Sequence, residues 1–166
     1  MNELRRTSER ESIGRLAFLK RPSGARYALI PLRLIVGYGF MEHGYAKLSK
    51  GPEGFAAILH ATGVPAPHFM AWLTILTELI GGLAVALGAF VALVSLPMAA
   101  LLLVAMFTVH LPYGFSSIKL ISVTPGGAAQ FGPPGYEVDL LYLACLAALV
   151  LGGSGPMAID NYLRKR

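Results

Sequence analysis

Residues 69–111 read FMAWLTILTELIGGLAVALGAFVALVSLPMAALLLVAMFTVHL, and across those 43 positions Glu78 is the one residue with a formal charge. About 20 apolar residues cross the hydrocarbon core of a bilayer, so the run is too long for a single crossing. It is also too long and too apolar for a buried helix of a soluble domain. Two spans joined by a very short turn account for it, span two over about His68–Phe90 and span three over about Ala92–Leu111. Trp72 stands near the start of span two, where an indole anchors at the membrane interface. Pro97 falls in the first two turns of span three, where a missing N–H costs least or gives a tolerated kink. The turn around Gly88–Ser95 carries no charge.

Working outward, the rest of the chain has the same character. Of its 166 residues 55% are hydrophobic and 14% charged, with a mean hydropathy of +0.60, which leaves too little polar surface for a soluble domain. Span one runs over about Tyr27–Lys47 and holds Gly37, Gly39 and Gly44, small residues that let a neighbouring helix come close. A connector follows, Leu48–Pro67, in which Gly54–Thr62 reads as a short interfacial helix with Phe55, Ile58 and Leu59 on one face. A second long connector, Leu111–Gly135, is too apolar for a fully solvated loop, and part of it is expected to fold back over the helix ends. Span four runs over about Tyr136–Pro156, with Gly152, Gly153, Gly155 and Pro156 ending it. No internal repeat is visible. The expected fold is all-α: a four-helix transmembrane bundle over residues 27–163, preceded by a basic segment over 1–26 and followed by a basic tail over 164–166.

Charge placement gives the orientation. The two ends carry ten of the fourteen Lys and Arg residues, and Lys47, Lys50 and Lys119 are the few on the other side. Four spans put both termini on one side, and the bias makes that side cytoplasmic. Within 1–26, Ile13, Leu16 and Ala17 share a helical face that would suit the membrane surface. The segment has seven basic residues but no apolar h-region, so it does not read as a secretory signal. A net charge of +5 would suit nucleic acid, but the basic stretches lack interleaved aromatics, and anionic lipid explains them better. The single cysteine, Cys145, allows no internal dithiol and reads as packing.

Ionisable groups inside spans cost about 3 kcal/mol each at a helix centre, so they are the candidate functional residues. At ~1.5 Å rise per residue, Arg33 lies about two turns in from the cytoplasmic end of span one and Glu78 near the middle of span two. Glu42, His43 and Lys47 belong to the outer half of span one, His110 to the outer end of span three, and Glu137 and Asp139 to the outer end of span four. A carboxylate as deep as Glu78 stays protonated if unpaired; a basic partner could come from Arg33, His43 or Lys47. Two readings stand: a buried pair that fixes helix register, and a proton relay or polar wall of a small-molecule site. His43 and His110 as haem ligands have nothing to fix their geometry and no Cys-x-x-Cys-His motif beside them. His60 and His68 are expected to face solvent. No His-x-x-x-His or His-x-Glu spacing occurs, so no metal is expected. No phosphate-cradling glycine loop and no Gly-x-Ser-x-Gly elbow occurs either.

Three stretches together carry a family resemblance. The first is Arg33, Gly37, Phe40, His43-Gly44, Lys47-Leu48 and Gly54-Phe55. The second is Gly63-Val-Pro-Ala-Pro67 leading to Glu78-Leu-Ile-Gly-Gly82 and Leu87-Gly88. The third is His110-Leu-Pro-Tyr-Gly114, Gly135-Tyr-Glu137, Gly155-Pro156 and Asp160. In order and spacing over Leu32–Leu163 the chain resembles the DoxX family of small bacterial membrane proteins. The resemblance implies a multi-pass four-helix protein of the bacterial inner membrane with a redox link. Relatives act as membrane subunits of a thiosulfate:quinone oxidoreductase or join partners that detoxify oxidants. It supplies no agreed catalytic residues; the corresponding positions are Arg33, His43, Lys47, Glu78, His110 and Glu137. The family often has a basic residue in the turn between spans two and three, where this chain reads Ala92-Leu-Val-Ser95.

The expectation is therefore a lipid-embedded subunit of an oxidoreductase complex, with a quinone-facing site, no covalent cofactor, a soluble redox partner protein and self-association into a homo-oligomer. The competing expectation is a small transporter or a scaffold with no chemistry, and a third is a lipid-binding or assembly factor.

Overall fold

Apolar helix formers run in long blocks between clusters of Gly and Pro, and the computed structural model follows that punctuation. It describes residues 24–163, which are mostly helical. The expected surface helix around Ile13, Leu16 and Ala17 and the tail Arg164, Lys165 and Arg166 lie outside the described residues.

A 3₁₀ turn at Ala25–Ala28 leads into α1, Leu29–Ser49. Pro52 opens α2, Pro52–Ala61, and Pro67 opens α3, Pro67–Leu87, each at a first-turn position where its missing N–H has no intrahelical partner to lose. The turn after α3 depends on Gly88, whose φ of 69° an L-residue rarely adopts. There the Ala89 N–H bonds back to the Ala84 carbonyl at 2.8 Å, closing the helix end. Next comes α4, Val91–Ala105, which accommodates Pro97. It continues as a π turn at Met106–His110 and a 3₁₀ turn at Leu111–Tyr113. The last elements are α5, Glu137–Gly152, and the short α6, Ile159–Leu163. The helix expected as span four is thus shorter than expected, because it already stops at Gly153, where φ is 84°.

The connector before α5 departs further from expectation. Within it β1, Leu120–Val123, pairs antiparallel with β2, Ala129–Phe131, aligning Leu120 with Phe131 and Val123 with Ala129. The signal was present in Ile121-Ser-Val-Thr124, rich in β-branched residues, followed by the turn former Pro125-Gly-Gly127. The two ends of the connector are tied to each other: the N–H groups of Gly135, Tyr136 and Glu137 bond to the carbonyls of Ser116, Gly114 and Phe115.

The long helices pack in sequence, α1 on α3, α3 on α4 and α4 on α5, and α5 returns to α1. Their shared core holds Val36, Phe40, Val85, Val91, Met98, Leu146 and Leu149. The closest approach is between α1 and α3. A Cβ on Gly82 would stand 2.6 Å from the Gly37 carbonyl oxygen, and one on Gly37 would collide with the Gly82 carbonyl in turn. The polar distribution is inverted relative to a water-soluble domain. Arg33, Glu78, Ser95 and Asp139 are buried, while Ile35, Ile80, Leu93 and Leu96 are exposed, Leu96 to 71%. Two helical segments, Pro67–Leu87 with 21 residues and Val91–Tyr113 with 23, are long and apolar enough to cross a membrane.

Near the start of α1 a polar clasp joins all the neighbouring helix ends. The Arg33 guanidinium donates to the carbonyls of Ser154 (2.8 Å) and Met157 (3.3 Å), beyond the end of α5. The Asp160 carboxylate accepts from the Phe90 and Val91 N–H groups at 2.6 and 3.2 Å and from the Ser154 hydroxyl at 2.6 Å. A side chain from the far end of the chain thus serves the first amides of α4, where Phe90 offers no cap of its own.

The glycine contact makes a direct prediction. Gly82→Ala should lower stability by about 1–3 kcal/mol through forced separation of α1 and α3. Gly54→Ala, on α2 with open space around it, should be neutral or gain up to about 1 kcal/mol. Thermal unfolding of the two purified variants in one detergent checks both.

Candidate functional site

Helical spacing puts Phe40, His43 and Lys47 on one face of α1, Thr74 and Glu78 on one face of α3, and Asp139 and Tyr142 on one face of α5. These faces converge with α4 on a cavity of about 550 Å³. Most of the lining is apolar, and Phe55, Ile58 and Leu59 of α2 close one side. The short helix expected at the interface therefore forms part of the cavity wall.

Two acid–base pairs face this space. Lys47 Nζ donates to both carboxylate oxygens of Glu78, at 2.6 and 2.7 Å. The same ammonium lies 5.3 Å from the centre of the Phe55 ring and 3.4 Å from the His43 carbonyl oxygen. His110 Nδ1, also in the lining, lies 2.6 Å from Asp139 Oδ2, joining the continuation of α4 to α5. Asp139 is 4% exposed. His110 closes the π turn, in which the Leu111 N–H reaches the Met106 carbonyl five residues back. Pro112 explains the irregularity: it has no N–H to offer Thr108, so the helix cannot continue in α geometry past that point. Thr108 bends its hydroxyl back to the Val104 carbonyl at 2.7 Å. The wider π turn shifts the helical phase of the residues beyond it, and such turns are frequent at functional sites.

Four of the residues singled out in the sequence thus meet at one cavity: His43, Lys47, Glu78 and His110. Three do not. Arg33 is 5% exposed, but its guanidinium serves the clasp at the other end of α1, so the partner of Glu78 is Lys47 rather than Arg33. Glu42 is exposed on α1 and outside the lining. Glu137 accepts the Ser117 N–H at 3.0 Å and holds the connector to the first turn of α5. His60 is exposed, and His68 forms a surface pair with Glu53 at 2.9 Å. Asp139, read from the sequence as a polar group at the outer end of span four, also lines the cavity, and its pairing with His110 is what the sequence did not show. Among the described residues no group of three or more His, Cys, Asp or Glu is arranged to hold a metal ion.

Each half of the Lys47–Glu78 pair is held by the other. Lys47→Met and Glu78→Gln should each lower stability, by up to about 3 kcal/mol, because each leaves one partner without its counterpart in a largely apolar wall. The double variant should recover most of the loss. A double-mutant cycle read by thermal unfolding measures the coupling.

Residues 28–111 match the DoxX family, a stretch that contains Lys47, Glu78 and His110 and stops short of Asp139. A protein of Bacillus subtilis (strain 168) named "Putative oxidoreductase CatD" is 33% identical over 134 residues, covering 81% of this chain and 85% of the relative. No solved structure matches the chain. With half of its length matched, including three of the four ionisable groups of the two cavity pairs, the chain belongs to the DoxX family.

Proposed function

We propose that this protein is a membrane subunit of a redox complex, binding the head group of a quinone in the cavity while a soluble partner protein exchanges electrons with it. The observation that carries this reading is that two acid–base pairs from different helices line one mostly apolar cavity. About 300–1,000 Å³ with a few convergent polar groups is what a small cofactor-like ligand requires, and a quinone combines an apolar ring and tail with two carbonyl oxygens. Reducing it takes two electrons and two protons. The electrons would come from the partner's redox centre and the protons through the polar walls. The Lys47–Glu78 pair then keeps its wall neutral overall, so that an incoming ligand meets no uncompensated charge there. The name of the Bacillus relative supports an oxidoreductase context, as an analogy of family rather than of site.

In this reading α1, α3, α4 with its continuation, and α5 form a four-helix bundle, each crossing the bacterial inner membrane, with both termini cytoplasmic. The exposed apolar surface of these helices supports it, as does the bias of basic residues to the two ends. A structural role without chemistry has one observation of its own, since the doubly bonded Lys47–Glu78 pair would fix the register of α1 against α3. Redox activity that survives Glu78→Gln would favour that reading.

Two experiments decide. A reporter active only outside the cytoplasm should give signal when inserted after Gly126 and none when fused to the C-terminus; the reverse pattern contradicts the topology. Protein purified in mild detergent should release quinone on solvent extraction, and Glu78→Gln should lower quinone-dependent electron transfer in membranes about tenfold or more. Absence of quinone together with unchanged activity in Glu78→Gln defeats the redox proposal.

A further inference from the structure

The two polar walls of the cavity are not equivalent. Both oxygens of Glu78 are engaged by Lys47, whose ammonium is directed at them and at the His43 carbonyl. That pair is closed on itself. His110 is different: Asp139 holds Nδ1 at 2.6 Å, so Nε2 is the ring nitrogen left to meet a guest in the cavity that His110 lines. A carboxylate on one imidazole nitrogen fixes the ring's orientation and tautomer, which prepares the other nitrogen to give or take a proton. His43 also lines the cavity, but its ring has an edge contact with Tyr142 at 6.4 Å between centres and no hydrogen bond among the described residues to orient it. The π turn points to the same residue, since it is the irregularity that ends at His110.

We propose that His110 is the catalytic residue that exchanges a proton with the bound quinone, and that Asp139 is its positioning residue; this rests on the quinone reading above. Nε2–H of the protonated ring donates a hydrogen bond to one quinone carbonyl. As the ring of the ligand receives electrons from the redox centre of the soluble partner, the N–H bond breaks and an O–H bond forms on that oxygen. Neutral His110 remains, with its Nδ1–H on the Asp139 carboxylate. On quinol oxidation the same proton returns to Nε2 and the electrons pass to the partner. The second proton of the couple exchanges at the other carbonyl oxygen with water at the cavity mouth.

The test is the infrared carbonyl band of a short-chain benzoquinone labelled with ¹³C at a carbonyl carbon, bound to the full-length protein in detergent. The wild-type protein should lower one carbonyl band relative to free quinone. His110→Phe should return that band to the free position and weaken binding about tenfold, the loss of one good hydrogen bond. His110→Gln, which keeps a donor of similar reach, should retain a lowered band while slowing quinone reduction. A lowered band that persists unchanged in His110→Phe overturns the assignment. If His110→Phe does not fold, a band at the free position in wild type and in His110→Gln alike overturns it as well. Wild-type protein that binds no quinone at all brings down the quinone reading itself, whereas a bound quinone indifferent to residue 110 brings down the role of His110 alone.

Discussion

Helices α1 and α3 meet backbone to backbone at Gly37 and Gly82, and the position of the Lys47–Glu78 pair depends on that contact. The two helices run in opposite directions. At ~1.5 Å per residue, Lys47 lies about 15 Å along α1 from the contact, and Glu78 about 6 Å along α3 on the same side. The remaining gap is bridged because side chains lean toward the start of their own helix. In an antiparallel pair this brings Lys47 down and Glu78 up, toward one another. Their 2.6 Å contact is therefore consistent with the register that the glycines set.

Tight packing between α1 and α3 starts at Gly37 and Gly82 near the clasp end and continues toward the cavity, where a Cβ on Gly44 would stand 2.9 Å from the Leu79 side chain. Phe40 of α1 and Tyr142 of α5 meet edge to face with 5.4 Å between ring centres, and both line the cavity. The cavity is lined by one acid–base pair from α1 and α3 and another from α4 and α5. Each pair straddles a helix–helix seam, so a change in the separation of two helices would alter a polar contact at the cavity wall.

Legibility in the sequence divides along the range of the interactions. The helical stretches follow from the run of apolar residues between Gly and Pro clusters, a local pattern. Glu78 stood out because a charge in such a run is costly. Its partner could not be chosen among Arg33, His43 and Lys47, since the choice depends on the antiparallel register of two helices. Arg33 was the least legible: its acceptors are main-chain carbonyls more than 120 residues away, and a carbonyl leaves no mark in a sequence. Asp139 was visible as a polar residue at the start of α5, but its pairing with His110 depends on the phase shift of a π turn that Pro112 imposes from outside the helix. The hairpin of β1 and β2 did carry a local signal, in a stretch otherwise read as connector.

The clasp at Asp160 also has a consequence in time. The amides of Phe90 and Val91 find their acceptor about 70 residues further along the chain, which the ribosome has yet to make when α4 emerges. While α4 and α5 are being synthesised, the first amides of α4 must rely on water. Arrival of Ser154, Met157 and Asp160 gives Arg33 and those amides their partners together. Closure of this end of the molecule thus waits for residues 154–160, and a nascent chain halted before them would have its long helices but not the lock that gathers their ends.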